Sequence, residues 1–225
     1  MNKKATKRYY FNILNKCNTS CDFCCMSSNP TKETYLSFDR FKEVLDSSKD
    51  HFELQLEGGE PLLSPNLYLF LEYARSTSRC SKITISTNGI LLNKHLQRLT
   101  DFVSFSKIPF EIKRSINYYL LNQDKNLLKK CRDFYLATEF IENFKVIFNV
   151  RLRKEDDSLL EKLKEFNLYN YSNIFYLQNY GKLQDDSYEK PFIVQNIEEF
   201  YLYSSDGKCF GSDLIARSEH EKDLK

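Results

Sequence analysis

The chain has 225 residues and a formal net charge of +2, which leaves room for one domain with a substantial core and argues against an electrostatic nucleic-acid footprint. Hydrophobic residues at 41% and charged residues at 28% are those of a soluble globular protein. No apolar run suits a membrane span or a signal peptide, so the expectation is a cytoplasmic protein with neither membrane nor nucleic acid as partner. Seven cysteines in that compartment point to metal ligation or reactive thiols rather than disulfides.

In chain order, Lys3, Lys4, Lys7 and Arg8 read as a solvated basic arm. Tyr9–Asn15 reads as a first strand, and Phe38–Ser48 as a helix with Ser37 as its N-cap. Phe52–Leu56 is a second strand, Leu67–Ser76 a second helix, and Lys82–Ser86 a third strand ended by the turn signal Asn88-Gly89. A helix follows around Asn93–Thr100. Phe110–Tyr118 then predicts a strand, Lys125–Phe140 a helix, Val146–Leu152 a strand, Ser158–Phe166 a helix and Ile174–Leu177 a sixth strand. Strands separated by crossover helices imply a parallel sheet, and six units are too few for a closed eight-stranded barrel of roughly 250 residues. The expected fold class is therefore α/β, an open partial (β/α)6 barrel, with a flat doubly wound sheet as the alternative.

After Tyr180-Gly181 the rhythm changes. Residues 1–181 read as the core domain and 182–225 as an extension: a polar loop, a hairpin of Phe200–Ser204 and Lys208–Phe210 turning at Ser205-Asp206-Gly207, and a charged tail expected to fray.

The chemistry concentrates in Cys17-Asn18-Thr19-Ser20-Cys21-Asp22-Phe23-Cys24-Cys25, directly after the first strand. Three regularly spaced thiols are soft ligands for an iron–sulfur cluster or zinc. A closed site wants four protein ligands. Cys25 adjoins Cys24 too closely to reach the same metal with ease and reads as a packing residue, which leaves three ligands and one open metal position. Structural zinc with Cys209 or His51 as a distant fourth ligand is the competing reading, and buried apolar thiols a weaker one.

The spacing CxxxCxxC, with Phe23 before its last cysteine, resembles the radical SAM (S-adenosylmethionine) superfamily. Two further motifs extend the resemblance: Glu57-Gly58-Gly59-Glu60-Pro61 after the second strand is similar to that family's GGEP, and Ser86-Thr87-Asn88-Gly89 after the third to its STNG. The resemblance is clearest over residues 9–90 and implies a partial barrel of the radical SAM type. It implies a 4Fe–4S cluster on Cys17, Cys21 and Cys24 that cleaves SAM reductively into methionine and a 5′-deoxyadenosyl radical. It also implies that Gly58, Gly59 and Glu60 meet the SAM amino group, that Phe23 lies beside adenine, and that Ser86 and Asn88 line the site. Ser115 and Asn117, on one face of the fourth strand, would contact ribose. Arg151 would pair with the SAM carboxylate, with Arg153 on the same face as its rival.

Asp206-Gly207-Lys208-Cys209-Phe210 looks like the entrance to a SPASM-type extension without the cysteines that complete one. Cys209 is a candidate hydrogen-atom donor, a remnant, or an ordinary buried thiol; Cys80 and Cys131 read as packing residues. The expected function is hydrogen abstraction from a peptide, of ribosomal origin on the Cys24-Cys25-Met26-Ser27-Ser28-Asn29-Pro30 context, or from a small molecule. A small flavodoxin- or ferredoxin-like protein would donate electrons. The alternatives are a glycyl-radical activating enzyme and, in another class, a non-catalytic Fe–S or zinc module that binds a partner.

Overall fold

Strand β1 (Lys7–Asn12) sorts its residues by alternation, and that sorting sets up everything around it. Tyr9 and Phe11 point to one side. Phe11 meets the ring of Phe41 at 5.0 Å and stacks on Tyr203 at 4.6 Å, while Phe41 meets Phe70 at 4.7 Å. Burying each of these phenylalanines is worth about 1.5–3 kcal/mol. Arg8, Tyr10 and Asn12 point to the other side, beside Glu53, Gln55 and Glu57 of the next strand in register.

A computed structural model of the chain describes residues 5–192 and 197–225; Lys3 and Lys4 of the expected basic arm lie outside them. The chain divides into two compact units, residues 1–86 with 178–225, and residues 87–177. In the first, β1 pairs in parallel with β2 (Phe52–Glu57), and β2 with β3 (Cys80–Thr87). Helix α1 (Phe38–Ser47) starts where Ser37 Oγ accepts the Arg40 N–H at 3.2 Å, and buries Phe41, Val44 and Leu45. Helix α2 (Leu67–Ser76) buries Leu67, Phe70, Leu71 and Ala74.

In the second unit, helix α3 (Leu92–Ser104) precedes β4 (Phe110–Asn117), which pairs in parallel with β5 (Phe144–Leu152), and β5 with β6 (Ser172–Tyr176). The helix expected over Lys125–Phe140 is α5 (Leu127–Thr138), and a short helix that was not expected, α4 (Tyr118–Gln123), precedes it. Asn117 Oδ1 caps α4 by accepting the Leu120 N–H at 2.9 Å, and Asp124 Oδ1 turns the chain by accepting the Asn126 N–H at 3.0 Å. These Asx contacts are local alternatives to helix, which periodicity does not register. Helix α6 (Asp157–Glu165) follows β5.

The segment after residue 178 belongs to the first unit. Strand β7 (Glu199–Tyr203) lies parallel to β1 on the edge away from β2. The chain then folds back on it, with Ser204 N–H to Lys208 O at 3.0 Å and Phe210 N–H to Leu202 O at 2.9 Å. The charged tail does not fray. It forms helix α7 (Leu214–Asp223), N-capped by Asp213 Oδ1 on Ala216 N–H at 2.9 Å, with Arg217, Ser218 and Glu221 buried. Its buried side chains are polar, so no apolar stripe announced it. The N-terminal residues Lys7 and Arg8 are not a solvated arm either. Lys7 pairs with Asp50 at 2.9 Å, and Arg8 grips Glu53 and donates to Tyr10 Oη at 3.2 Å.

Candidate metal centre

The loop after β1 leaves the strand's carboxyl end, where α/β folds place ligands. Cys17 N–H donates to Asn29 O at 3.0 Å and closes the loop's base; Cys24 N–H donates to Cys21 O at 3.2 Å and tightens its far turn. Cys17 is buried, and Cys21, Cys24 and Cys25 are half-buried. Thr19 Oγ1 stands 3.1 Å from Cys17 Sγ and 3.7 Å from Cys21 Sγ. Burial raises the Cys24 thiol and pushes the Cys21 thiol up to about 12. Among the described residues no three Cys, His, Asp or Glu side chains converge on a point that would seat a single ion.

The donor set of Cys17, Cys21 and Cys24 suits an iron–sulfur cluster in kind and in number: three soft thiols from one loop. Cys25 points its thiol to Tyr180, with which it hydrogen-bonds, and burial raises it to about 11. Of the two distant zinc ligands considered, His51 sits before β2 with its carbonyl bonded to Thr6 N–H, at the amino end of β1. That is about 20 Å from the loop at some 3.3 Å per residue. Cys209 is exposed rather than buried, and it hydrogen-bonds with Tyr203 on the helix-covered side of β1 and β7.

The two glycines after β2 press against the segment that leads into the loop. A Cβ on Gly58 would stand 2.2 Å from Leu14 O, and one on Gly59 would stand 2.1 Å from Lys16 O. The close approach allows Gly59 N–H to donate to Leu14 O at 2.8 Å and Glu60 N–H to Lys16 O at 3.0 Å. Glu60 is fully buried, and its carboxylate accepts the Leu62 N–H at 3.1 Å, capping the short turn that follows. The turn at residues 58–60 is thus fastened to the base of the cysteine loop. Phe23 lies half-buried within that loop.

Ser86, at the end of β3, accepts from Gln55 Nε2 at 3.3 Å. In the second unit, Thr87 Oγ1 accepts the Gly89 N–H and Asn88 Oδ1 the Ile90 N–H, both at 3.0 Å. Ser115 and Asn117 share a face of β4, and their register partners on β5 are Asn149 and Arg151. The Arg151 guanidinium lies 4.7 Å from the centre of the Phe175 ring, with no ion pair among the described residues. Arg153 is engaged otherwise, bonded to Asp156 at 2.8 Å, paired with Glu155 at 3.0 Å and lying over Tyr118.

Sequence reasoning missed a polar cluster on α7. Glu221 accepts from Asn12 Nδ2 at 2.8 Å, Ser205 N–H at 2.6 Å and Ser205 Oγ at 2.8 Å. Arg217 pairs with Glu57 at 2.8 Å, and Ser218 Oγ donates to the Cys25 carbonyl. No local signal marks these residues, because Glu57, Cys25 and Asn12 are 160–209 positions away and even Ser205 is 16 away.

Residues 11–112 match the family model described as Radical SAM superfamily. Among curated proteins, the GTP 3′,8-cyclase of Staphylococcus haemolyticus is 31% identical over 121 residues, covering 47% of this chain and 35% of its own length. That of Staphylococcus carnosus is 27% identical over 172 residues, 68% of this chain and 48% of its own length. The chain therefore spans half or less of the length of these relatives. Among solved structures, Streptococcus suis SuiB bound to precursor peptide SuiA matches with a TM-score of 0.60 at 18% identity, over 79% of this chain and 41% of that one. SuiB bound to S-adenosylmethionine matches at 0.59 and 17%, over 82% and 43%. The chain shares the α/β fold of those structures. No helix among the described residues is long and apolar enough to cross a membrane.

Proposed function

We propose that the chain is a radical SAM enzyme, in which Cys17, Cys21 and Cys24 hold a 4Fe–4S cluster with which it cleaves S-adenosylmethionine reductively. One observation carries the reading. The turn at Gly58, Gly59 and Glu60 is fastened by backbone hydrogen bonds to Leu14 and Lys16, one residue short of the first thiol. Two motifs some forty residues apart in sequence thereby lie side by side, which supports the reading.

When bound, the cluster supplies the electron that splits the sulfonium into methionine and a 5′-deoxyadenosyl radical, which takes a hydrogen atom from the substrate. The chain's own residues hold and shield. The three thiols would anchor the cluster as thiolates. The turn at 58–60 offers carbonyls, and Glu60 a carboxylate, to accept from the SAM ammonium. Phe23 would pack beside adenine, while Ser86, Asn88, Ser115 and Asn117 offer polar groups for the nucleoside. Arg151, a half-buried residue with no carboxylate partner among the described residues, would bind the SAM carboxylate; Arg153 is held by Asp156 and Glu155.

The substrate in this reading is a peptide, supported by the likeness of fold to SuiB, which is solved with its precursor peptide. A nucleoside triphosphate is the second reading, favoured by the cyclases to which residues in this chain are 27–31% identical. A flavodoxin- or ferredoxin-like protein of the cytoplasm would supply the electron. Residues 1–181 would form the catalytic core and 182–225 its extension. The position of His51 at the far end of β1 and the exposure of Cys209 speak against a four-ligand zinc module, and the relatives do not favour a glycyl-radical activating enzyme.

The test is anaerobic reconstitution with iron and sulfide, then reduction with dithionite in the presence of SAM. The wild type is expected to bind iron and release 5′-deoxyadenosine, and Cys21→Ala to lose the visible charge-transfer absorption of a thiolate-bound cluster. A wild-type protein that takes up no iron, or a Cys21→Ala variant that keeps the absorption, refutes the assignment.

A further inference from the structure

Helix α7 lies outside the stretch matched by the family model, yet its buried polar residues reach the cysteine loop through Ser218, the end of β2 through Arg217, and Asn12 of β1 and Ser205 through Glu221. We propose that α7 is a brace that fixes the Cys24–Cys25 backbone, with Ser218 and Glu221 as positioning residues for the metal centre. The inference rests on the cluster reading given above.

The grips are several and they converge. Ser218 Oγ donates to the carbonyl of Cys25. The neighbouring carbonyl, that of Cys24, accepts from Lys182 N–H at 3.1 Å. Gly181 makes this possible: a Cβ there would stand 2.4 Å from Cys25 Cα and 2.7 Å from Cys24 O. Two consecutive carbonyls at the third proposed ligand are thus held by donors from the chain after residue 178. Glu221, fully buried, binds Asn12 Nδ2, and the same amide lies 3.0 Å from Met26 Sδ on the loop's returning arm. Lys32 Nζ donates to the carbonyls of Glu221 at 3.2 Å, Lys222 at 2.9 Å and Leu224. Asn15 Nδ2 and Thr34 Oγ1 reach Lys225 O at 3.0 and 2.7 Å. Both arms of the loop are held this way, and Arg217 on Glu57 extends the hold to the residue before Gly58.

A helix whose only office was to cover apolar surface would bury leucines here. This one buries a serine, a glutamate and an arginine, each directed at a named backbone or polar group. Such contacts specify position, because a hydrogen bond fails with displacements that an apolar contact tolerates. The consequence for a metal centre is a fixed ligand backbone, the role that outer partners play around many metal sites.

The test uses the full chain carrying Ser218→Ala, Glu221→Gln and the exposed control Ile215→Ala. After anaerobic reconstitution, two quantities are read: the rate at which a chelator strips iron, and the electron paramagnetic resonance line shape of the reduced protein with and without SAM. Loss of one such hydrogen bond corresponds to about a fivefold effect. Ser218→Ala and Glu221→Gln are each expected to shed iron about fivefold faster or more and to alter the line shape, while Ile215→Ala matches wild type and Ser218→Thr restores it. In the metal-free protein, backbone amides of residues 17–29 are expected to exchange hydrogen faster in Glu221→Gln; this covers a variant that fails to take up metal. Unchanged iron loss, line shape and exchange in both variants overturn the brace while leaving the cluster reading intact. A wild-type protein without iron overturns both.

Discussion

Replacing Gly59 with alanine separates steric fit from backbone conformation. Gly59 is not among the residues with positive φ, so alanine is conformationally acceptable there, but its Cβ would stand 2.1 Å from Lys16 O, 2.5 Å from Lys16 C and 2.8 Å from Asn15 O. All three are backbone atoms of the segment entering the cysteine loop, and no side chain can swing away to relieve them. Restoring a tolerable contact moves the two segments apart by about 1 Å, which takes the Gly59–Leu14 and Glu60–Lys16 hydrogen bonds beyond bonding range. Two partly buried backbone bonds at about 1–3 kcal/mol each give a loss of about 2–6 kcal/mol. For a chain of this length, at about 2–4 °C per kcal/mol, that lowers the unfolding midpoint by about 4–24 °C. The displaced residues immediately precede Cys17, so iron uptake should fall with it. Gly211→Ala is the control: φ is +55° and nothing lies within 4 Å of its Cβ, so only the left-handed conformation is penalised, by about 1 kcal/mol, with iron content unchanged. Thermal unfolding of the metal-free protein and iron analysis after reconstitution read both. Equal midpoints for the two variants, or full iron content in Gly59→Ala, would refute the steric argument.

Arg151→Met is expected to weaken SAM binding to the reconstituted protein by about 10-fold or more, the worth of a charge-assisted bond. Arg153→Met should leave that affinity unchanged and lower stability by about 1 kcal/mol through its half-exposed pairs with Asp156 and Glu155; calorimetric titration with SAM distinguishes them, and equal losses would reject the choice of Arg151. Burial pushes the Cys80 thiol up to about 12 and that of Cys131 to about 11, whereas Cys209 is exposed. Iodoacetamide at pH 8 should therefore label Cys209 in the native protein and spare the other two until denaturant is added. Peptide mapping that finds Cys131 labelled as fast as Cys209 contradicts the burial.

What was legible in the sequence was local. Ser37 before Phe38, the apolar spacing of Phe41, Val44 and Leu45, and the run Leu67–Ser76 announced α1 and α2 to within a residue. The motifs at 57–61 and 86–89 located the ends of β2 and β3, because glycine and turn residues are set by backbone geometry at those points, whereas β1 ends at Asn12 and not at the expected Asn15. What was not legible depended on distant partners. Arg8 reads as part of a basic arm until Glu53 and Tyr10 are placed beside it. Residues 214–223 read as tail because Arg217, Ser218 and Glu221 are polar in every local window, and only Glu57, the Cys25 carbonyl and Asn12 make them interior residues. Helix α4 was hidden for a different reason: Asn117 and Asp124 set its ends through single side-chain contacts, and its 6 residues are too few to show a helical period.

One sequence signal was available and bears on where the chemistry can occur. Strands of a parallel sheet covered on both faces read as near-continuous apolar runs. Strand β5 does not: Phe144, Val146, Phe148, Val150 and Leu152 are all buried, while Lys145 is exposed and Ile147, Asn149 and Arg151 are half-buried. The register puts Lys113, Ser115 and Asn117 of β4, and Asn173 and Phe175 of β6, beside that second set. The buried set faces α5, whose Lys130 carbonyl accepts from Arg114 Nη1 at 3.1 Å. The other face carries two lysines, an arginine, a serine, three asparagines and Glu111, which lies in register with Lys145 and pairs with Lys113 at 3.9 Å. Covering such groups with apolar helix would cost about 1–3 kcal/mol for each polar group left unpaired. A parallel sheet that keeps them has one face reserved for water or a polar ligand. The same alternation in β1 and β2 yields Asn12, Gln55 and Glu57, but there α7 already answers two of them, Asn12 through Glu221 and Glu57 through Arg217. The polar face of β4 to β6 has no such helix among the described residues of its unit, and it is the face on which Ser115, Asn117 and Arg151 stand together.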